Sequence, residues 1–153
     1  MIRPEAIATP RLALVPASIE IARAVLAGDL SAVAHAAGWP HADTLDAMRI
    51  APAIWFVALG GVVIGECGTV GQIDNAGGVE IGYGLAAEHR GAGYGTELVQ
   101  ALSRWLLRQQ GIARVLAAAE AGNMPSRRAL ERAGFVLERS EGGRVWYALA
   151  GAL

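Results

Sequence analysis

The sequence predicts a mixed α+β fold: a largely antiparallel central sheet with helices on its faces and one parallel β-α-β crossover. Three observations carry this expectation. Ile54–Leu59 and the run from Val62 to Val70 are apolar stretches joined by Gly60-Gly61, the pattern of a tight hairpin. Val79–Leu85, a glycine-rich loop, a long helical run and Val115–Ala119 form a strand–helix–strand unit, which favours a right-handed parallel crossover. Val136–Ser140 and Arg144–Leu149 flank Gly142-Gly143, which predicts a second hairpin.

Taken in order, Ile7–Pro16 alternates Leu12 and Leu14 with Arg11 and Ala13 between two prolines, so one opening strand is expected. Ala17–Leu26 places Ile19, Ala22, Val25 and Leu26 on one helical face, and Gly28 ends it. Ser31–Ala37 reads as a shorter helical piece closed by Gly38-Trp39-Pro40. Thr44 suits the cap of a helix running to about Ile50, with Leu45, Met48 and Ile50 as its apolar stripe and Pro52 as its stop. After the first hairpin, Gly71–Gly78 is a polar loop before Val79–Leu85, the central strand. Thr96–Gln109 is the helix behind the next loop and Gly111 its stop. Pro125–Arg132 is the last helix, which Gly134-Phe135 closes.

At 153 residues the chain has the size of one domain, expected over 1–153, and no repeat or linker divides it. With 54% hydrophobic and 18% charged residues it has enough apolar surface to fold around a core. A net charge of −1 gives no footing for nucleic acid or an anionic membrane, so neither is expected as a partner. No apolar run approaches the ~20 residues of a membrane span, and Met1–Glu5 lacks the apolar core of a signal peptide. A lone cysteine, Cys67, suits a reducing compartment, which makes a cytoplasmic location the expectation.

The chemistry gathers at Arg90-Gly91-Ala92-Gly93-Tyr94-Gly95-Thr96, between the central strand and its helix. Glycines at alternate positions turn the backbone tightly and let a ligand approach without meeting a Cβ. The amides lead into a helix N-terminus, where unpaired N–H groups and the dipole favour an anion. A dinucleotide fingerprint needs a different glycine spacing. A Walker loop needs a lysine, and all thirteen basic residues here are arginine. An ordinary glycine turn is the remaining alternative. Further on, Asn123-Met124-Pro125-Ser126 opens the last helix, where Asn123 and Ser126 read equally well as caps.

The pattern R-x-x-G-x-G, written here as Arg90, Gly93 and Gly95, resembles the pyrophosphate-binding signature of the GNAT superfamily of acyl-CoA-dependent N-acyltransferases. Asn123-x-x-Ser126 ahead of Gly134-Phe135 is similar to that family's second motif. Glu80-Ile81-Gly82-Tyr83 and Thr9-Pro10-Arg11-Leu12 resemble the branch of Rim-type ribosomal-protein N-acetyltransferases. The resemblance spans nearly the whole chain and is best from Glu80 to Phe135.

It implies an acetyl-CoA-dependent N-acetyltransferase in which a primary amine attacks the thioester directly. Amides of Arg90, Gly91, Ala92, Gly93, Tyr94, Gly95 and Thr96 would hold the CoA pyrophosphate, with Arg90 adding charge. The pantetheine arm would pair with strand backbone near Gly84 and Leu85, in a gap where the central strand and the next one splay apart. Asn123 would bond its amide region, and Ser126 would lie near the sulfur and protonate the departing thiolate. Where many relatives carry a tyrosine for that task, Arg127, Arg128, Ala129 and Leu130 stand here. Glu80, an acid within an apolar strand on the face of Gly82 and Gly84, is the candidate base, with Glu66 and Glu120 as alternatives.

Cys67 reads as a small core residue rather than a nucleophile. His35, His41 and His89 have no ligand spacing, so no metal is predicted. Trp39 and His41 are candidates for the wall of an acceptor pocket. The acceptor itself is open: a protein N-terminus and small-molecule amines both fit. Relatives of this kind pair as dimers often enough to make a homodimer possible. The rival reading is a GNAT-shaped module that binds acyl-CoA without catalysis.

Overall fold

A computed structural model describes residues 2–151. Eight strands form one sheet: β1 (Ile7–Ala8), β2 (Ala13–Pro16), β3 (Ile54–Leu59), β4 (Val62–Val70), β5 (Gly78–Leu85), β6 (Arg114–Glu120), β7 (Val136–Glu141) and β8 (Arg144–Ala150). Their order across the sheet is β1-β2-β3-β4-β5-β6-β8-β7. Every neighbouring pair is antiparallel except β5 and β6, which are parallel. The helices are α1 (Ile19–Leu26), α2 (Ala42–Ile50), α3 (Tyr94–Leu107) and α4 (Met124–Arg132). The mixed, largely antiparallel sheet with its one crossover matches the expected class.

Two expected elements differ. The opening run is two strands, because Thr9 folds it back around Pro10: the Thr9 amide donates to the Leu12 carbonyl at 2.9 Å, and the Leu12 amide to the Thr9 hydroxyl at 2.8 Å. The helical piece expected at Ser31–Ala37 is absent. So short a segment gains too few internal bonds to cover nucleation. Its backbone instead pairs with β4, with Val63 donating to Ala34 and Ala36 donating to Val63, both at 2.8 Å. Elsewhere ends move by a residue or two: α3 starts at Tyr94 rather than Thr96, and His41, not Thr44, caps α2. The side chain of Ile50, placed in the α2 stripe, lies outside the described residues.

Strand alternation divides the central side chains between the two faces. Toward α3 and α4 point Trp55, Cys67, Val79, Ile81 and Tyr83. Trp55 meets Trp105 of α3 edge to face at 5.4 Å, and Leu98, Val99, Leu102 and Leu106 of α3 are buried over the strands. Each fully buried leucine there contributes roughly 1.5–3 kcal/mol. Leu130 and Phe135 seat α4 in the same core. On the opposite face lie Phe56, Glu66, Glu80, Gly82 and Gly84, covered in part by Trp39, which stacks edge-on against Phe56 at 5.4 Å, and by Thr44 of α2.

The feature that positions the site is a fork. β5 and β6 pair only from Gly78 to Ile81 on one side and Arg114 to Ala117 on the other. Beyond that, β5 keeps pairing with β4 as far as Leu85, while β6 keeps pairing with β8 as far as Glu120. Residues 82–85 and 118–120 therefore part, each half of the sheet following its own twist. The backbone edge of β5 beyond Ile81 is left without a strand partner on that side.

Candidate active site

α3 begins where the glycine loop leaves the fork. Gly93 caps it with φ +86°, a left-handed conformation in which an L side chain is strained. The first intrahelical bond there runs from the Glu97 amide to the Gly93 carbonyl at 3.1 Å. The amides of Tyr94, Gly95 and Thr96 precede it and point out of the helix end without an intrahelical acceptor.

Arg11, outside the predicted site, fastens this loop from the turn between β1 and β2. Its Nε donates to Glu97 at 2.8 Å, its Nη1 to the Ala92 carbonyl at 2.9 Å, and its guanidinium lies 4.4 Å from the Tyr94 ring centre. Burial alone would raise the Glu97 carboxyl, but hydrogen bonds from Thr9 and Arg11 outweigh it and hold the group low and charged.

Between this helix end, the fork and α4 lies a cleft of about 540 Å³. Of the predicted binding residues, Gly84, Leu85, Arg90, Gly91, Gly93, Gly95, Thr96, Asn123 and Ser126 line it; Ala92 and Tyr94 do not. Arg128 and Arg132, one turn apart on α4, join Arg90 on its wall, and among the described residues no carboxylate does. The cleft is thus positive in a chain of net charge −1, which suits a polyanion. The spacing of Arg128 and Arg132 was the readable signal for this second basic wall. Arg127 faces elsewhere, pinning the Tyr147 hydroxyl at 3.0 Å and the Ala121 carbonyl at 2.8 Å.

At the fork the two motifs meet. Asn123 caps α4, its Oδ1 accepting from the Ser126 amide at 3.3 Å, and the same residue lines the cleft. The Ser126 hydroxyl is 2.9 Å from the Tyr83 hydroxyl, which reaches across from β5. Burial pushes the Tyr83 phenol above its ordinary value despite that bond, so it stays protonated. Sequence reasoning looked for a tyrosine on α4 and missed this one, although Tyr83 stands in the quoted Glu80–Tyr83 motif. The Leu85 carbonyl is already shared by Arg90 Nε at 3.1 Å and His41 Nε2 at 3.3 Å, so a ligand pairing with this strand meets it occupied.

The carboxylates separate clearly. Neither Glu80 nor Glu66 lines the cleft itself; Glu80 stands opposite Val70 on one side and Leu116 on the other, inside the paired part of the sheet. Partial burial pushes its carboxyl up, while Arg144 pulls it down. Glu66 lies beyond the start of the fork, opposite Gly84, and is 7% exposed. Its Oε1 accepts from Trp39 Nε1 at 3.3 Å and from the Thr44 hydroxyl. Burial pushes the Glu66 carboxyl up, against hydrogen bonds from Thr44 and Trp39 and the charge of His41. Cys67 is buried, its thiol pushed far up by desolvation, and is unsuited to be a nucleophile. Among the described residues no group of three or more metal-ligating side chains gathers, and no helix is long and apolar enough to cross a membrane.

Comparison with known proteins gives the same outline. Residues 11–136 match the family model described as an acetyltransferase (GNAT) domain. A curated relative, the uncharacterized N-acetyltransferase YjdG of Bacillus subtilis, is 36% identical over 75 residues, covering 49% of this chain and 45% of that protein. The match thus spans less than half of that relative's length. Among solved structures, the acetyltransferase from Agrobacterium tumefaciens strain C58 superposes with a TM-score of 0.71 at 22% identity, over 99% of this chain and 97% of the other. The ribosomal L7/L12 alpha-N-protein acetyltransferase RimL, in complex with coenzyme A, gives 0.71 at 20% identity, over 95% of this chain and 98% of its own. At these identities the structural matches speak for the fold.

Proposed function

Because the chain belongs to the GNAT acetyltransferase family, we propose that it carries an acetyl group from acetyl-CoA directly to a primary amine, as a single domain over 1–153. The observation that carries this reading is the cleft itself. A glycine-led helix end with free amides, three arginines and a forked sheet edge meet along one groove. Those features suit, in order, a diphosphate, further phosphate charge and an extended amide-bearing arm.

The co-substrate supplies the thioester whose carbonyl carbon is attacked. The protein's part is placement and proton handling. Amides of Gly95 and Thr96 at the helix end hold the diphosphate; Arg90, Arg128 and Arg132 add charge to the groove. Asn123, whose Oδ1 is committed to the cap, offers its Nδ2 as a donor to the arm. Ser126, backed by Tyr83, protonates the departing thiolate. On the amine side, a carboxylate on the face of Gly82 and Gly84 accepts the proton, and both Glu80 and Glu66 stand on that face. The acceptor is a protein N-terminus or a small-molecule amine, and the lone buried cysteine fits a cytoplasmic enzyme.

The test is thiol release from acetyl-CoA against a panel of N-terminal peptides, polyamines, amino acids and aminoglycosides, with CoA affinity measured in parallel by calorimetry. Turnover with at least one amine is expected. CoA binding without turnover on any amine would favour a silent binding module, and failure to bind CoA would refute the reading.

A further inference from the structure

We propose that Glu66 is the group that takes the acceptor amine's proton, working across the open face of Gly84, with Thr44 and Trp39 as positioning residues that hold the carboxylate there. This rests on the acetyltransferase reading above and adds the residue that reading leaves between two candidates.

Register separates the two carboxylates. The fork opens after Ile81, so Glu80 remains between paired strands, whereas Glu66 is level with Gly84, which lines the cleft. The Glu66 carboxylate is held asymmetrically. Oε1 takes both side-chain donors, Trp39 Nε1 and the Thr44 hydroxyl. Oε2 takes no side-chain hydrogen bond among the described residues, and it lies 2.7 Å from where a Cβ on residue 84 would be. Among the described residues Oε2 is not one of the fully buried atoms left without a partner, so it keeps access to a small ligand or water. Here the free oxygen faces the strand that borders the cleft, and only a glycine at 84 leaves it room.

The surroundings suit the task. β3 presents Phe56, the loop before α2 presents Trp39, α2 presents Thr44 and its cap residue His41, and β5 presents Gly84. Of these, His41, the cap residue of α2, is the one basic side chain. Cys67, next along β4, points to the other face and stays a thiol.

In the step, the amine nitrogen bonds to the thioester carbonyl carbon and gives one proton to Glu66. The C–S bond breaks, and the thiolate takes a proton from the Ser126–Tyr83 pair. Exchange with water then returns Glu66 to the carboxylate and the pair to its protonated form, so one amine proton has in effect passed to the thiol.

A base works only when unprotonated, so the rate should fall as pH drops through the Glu66 pKa. Glu66→Gln should lower kcat by about 10²- to 10⁴-fold, remove that acid limb and leave CoA affinity unchanged. Thr44→Val removes a donor to the carboxylate, raises its pKa and should move the limb to higher pH, with Thr44→Ser restoring it. A carbon-13 carboxyl titration of the ligand-free protein reads the same group without turnover. The Glu66 and Glu80 resonances should both titrate above the ordinary glutamate value; the one that vanishes in Glu66→Gln, and not in Glu80→Gln, should shift upward in Thr44→Val. Wild-type rate and acid limb in Glu66→Gln, or loss of the limb in Glu80→Gln instead, would overturn the assignment while leaving the acetyltransferase reading standing. A wild-type protein that neither binds CoA nor acetylates amines would remove both.

Discussion

Replacing Gly95 with alanine should stabilise the ligand-free protein and weaken its grip on CoA. Gly95 is the second residue of α3, its φ is not left-handed, and an added Cβ would meet nothing closer than the Ala129 Cβ at 3.8 Å, an ordinary van der Waals contact. A helical glycine costs roughly 0.5–1 kcal/mol relative to alanine, much of it through the freedom of the unfolded chain. At about 2–4 °C per kcal/mol for a domain of this size, the ligand-free midpoint should rise by about 1–4 °C. The same methyl enters the cleft, where the diphosphate must approach the helix-end amides. Moving that anion out by a methyl radius should weaken CoA binding about tenfold or more, or ~1.4 kcal/mol. Thermal melts with and without CoA, followed by calorimetry, separate the effects: the ligand-free curve moves up and the ligand-induced shift shrinks. Wild-type affinity in Gly95→Ala would refute the argument that this helix end holds the diphosphate. A lower ligand-free midpoint would refute the reading of its packing.

Gly93→Glu puts a negative side chain beside the helix end at a left-handed backbone position, and CoA binding should be abolished; calorimetry with an unchanged affinity would count against the cradle. Tyr83→Phe should lower kcat without altering CoA affinity. Because the phenol is raised from 10.0 and acts in its protonated form, any basic limb it imposes on the wild-type rate should lie above pH 10.0; an unchanged kcat in Tyr83→Phe would make the Tyr83–Ser126 contact merely structural. Arg11→Ala removes a half-exposed ion pair, a bond to the Ala92 carbonyl and a contact with the Tyr94 ring. After allowance for solvent screening it should cost about 1 kcal/mol, or about 2–4 °C, and also weaken CoA binding by freeing the loop; melts and calorimetry that match wild type would show that Arg11 does not brace the cradle.

Most of the elements were legible in the sequence because their causes are local. Gly60-Gly61 and Gly142-Gly143 set hairpins between apolar runs, Pro125 and Asn123 open α4, and the glycines of the 91–95 loop announce a helix start stripped of side chains. The misses were competitions that local pattern does not record. The Thr9 hydroxyl captured the Leu12 amide and broke one expected strand into two, and Val63 captured the backbone of a segment read as helix.

The sequence by itself determined that this chain builds a mixed sheet, a glycine cradle and a capped helix with Asn123 and Ser126 at its start, since each follows from spacing over a few residues. Only the tertiary structure decided where the sheet forks, that Tyr83 meets Ser126 across the fork, that Arg11 braces the cradle, and that Glu66 rather than Glu80 is level with the cleft. Alternation along β5 fixes the face a side chain takes, but its partner on β4 depends on register. Register is set by the whole sheet and its twist, which no window of one strand contains.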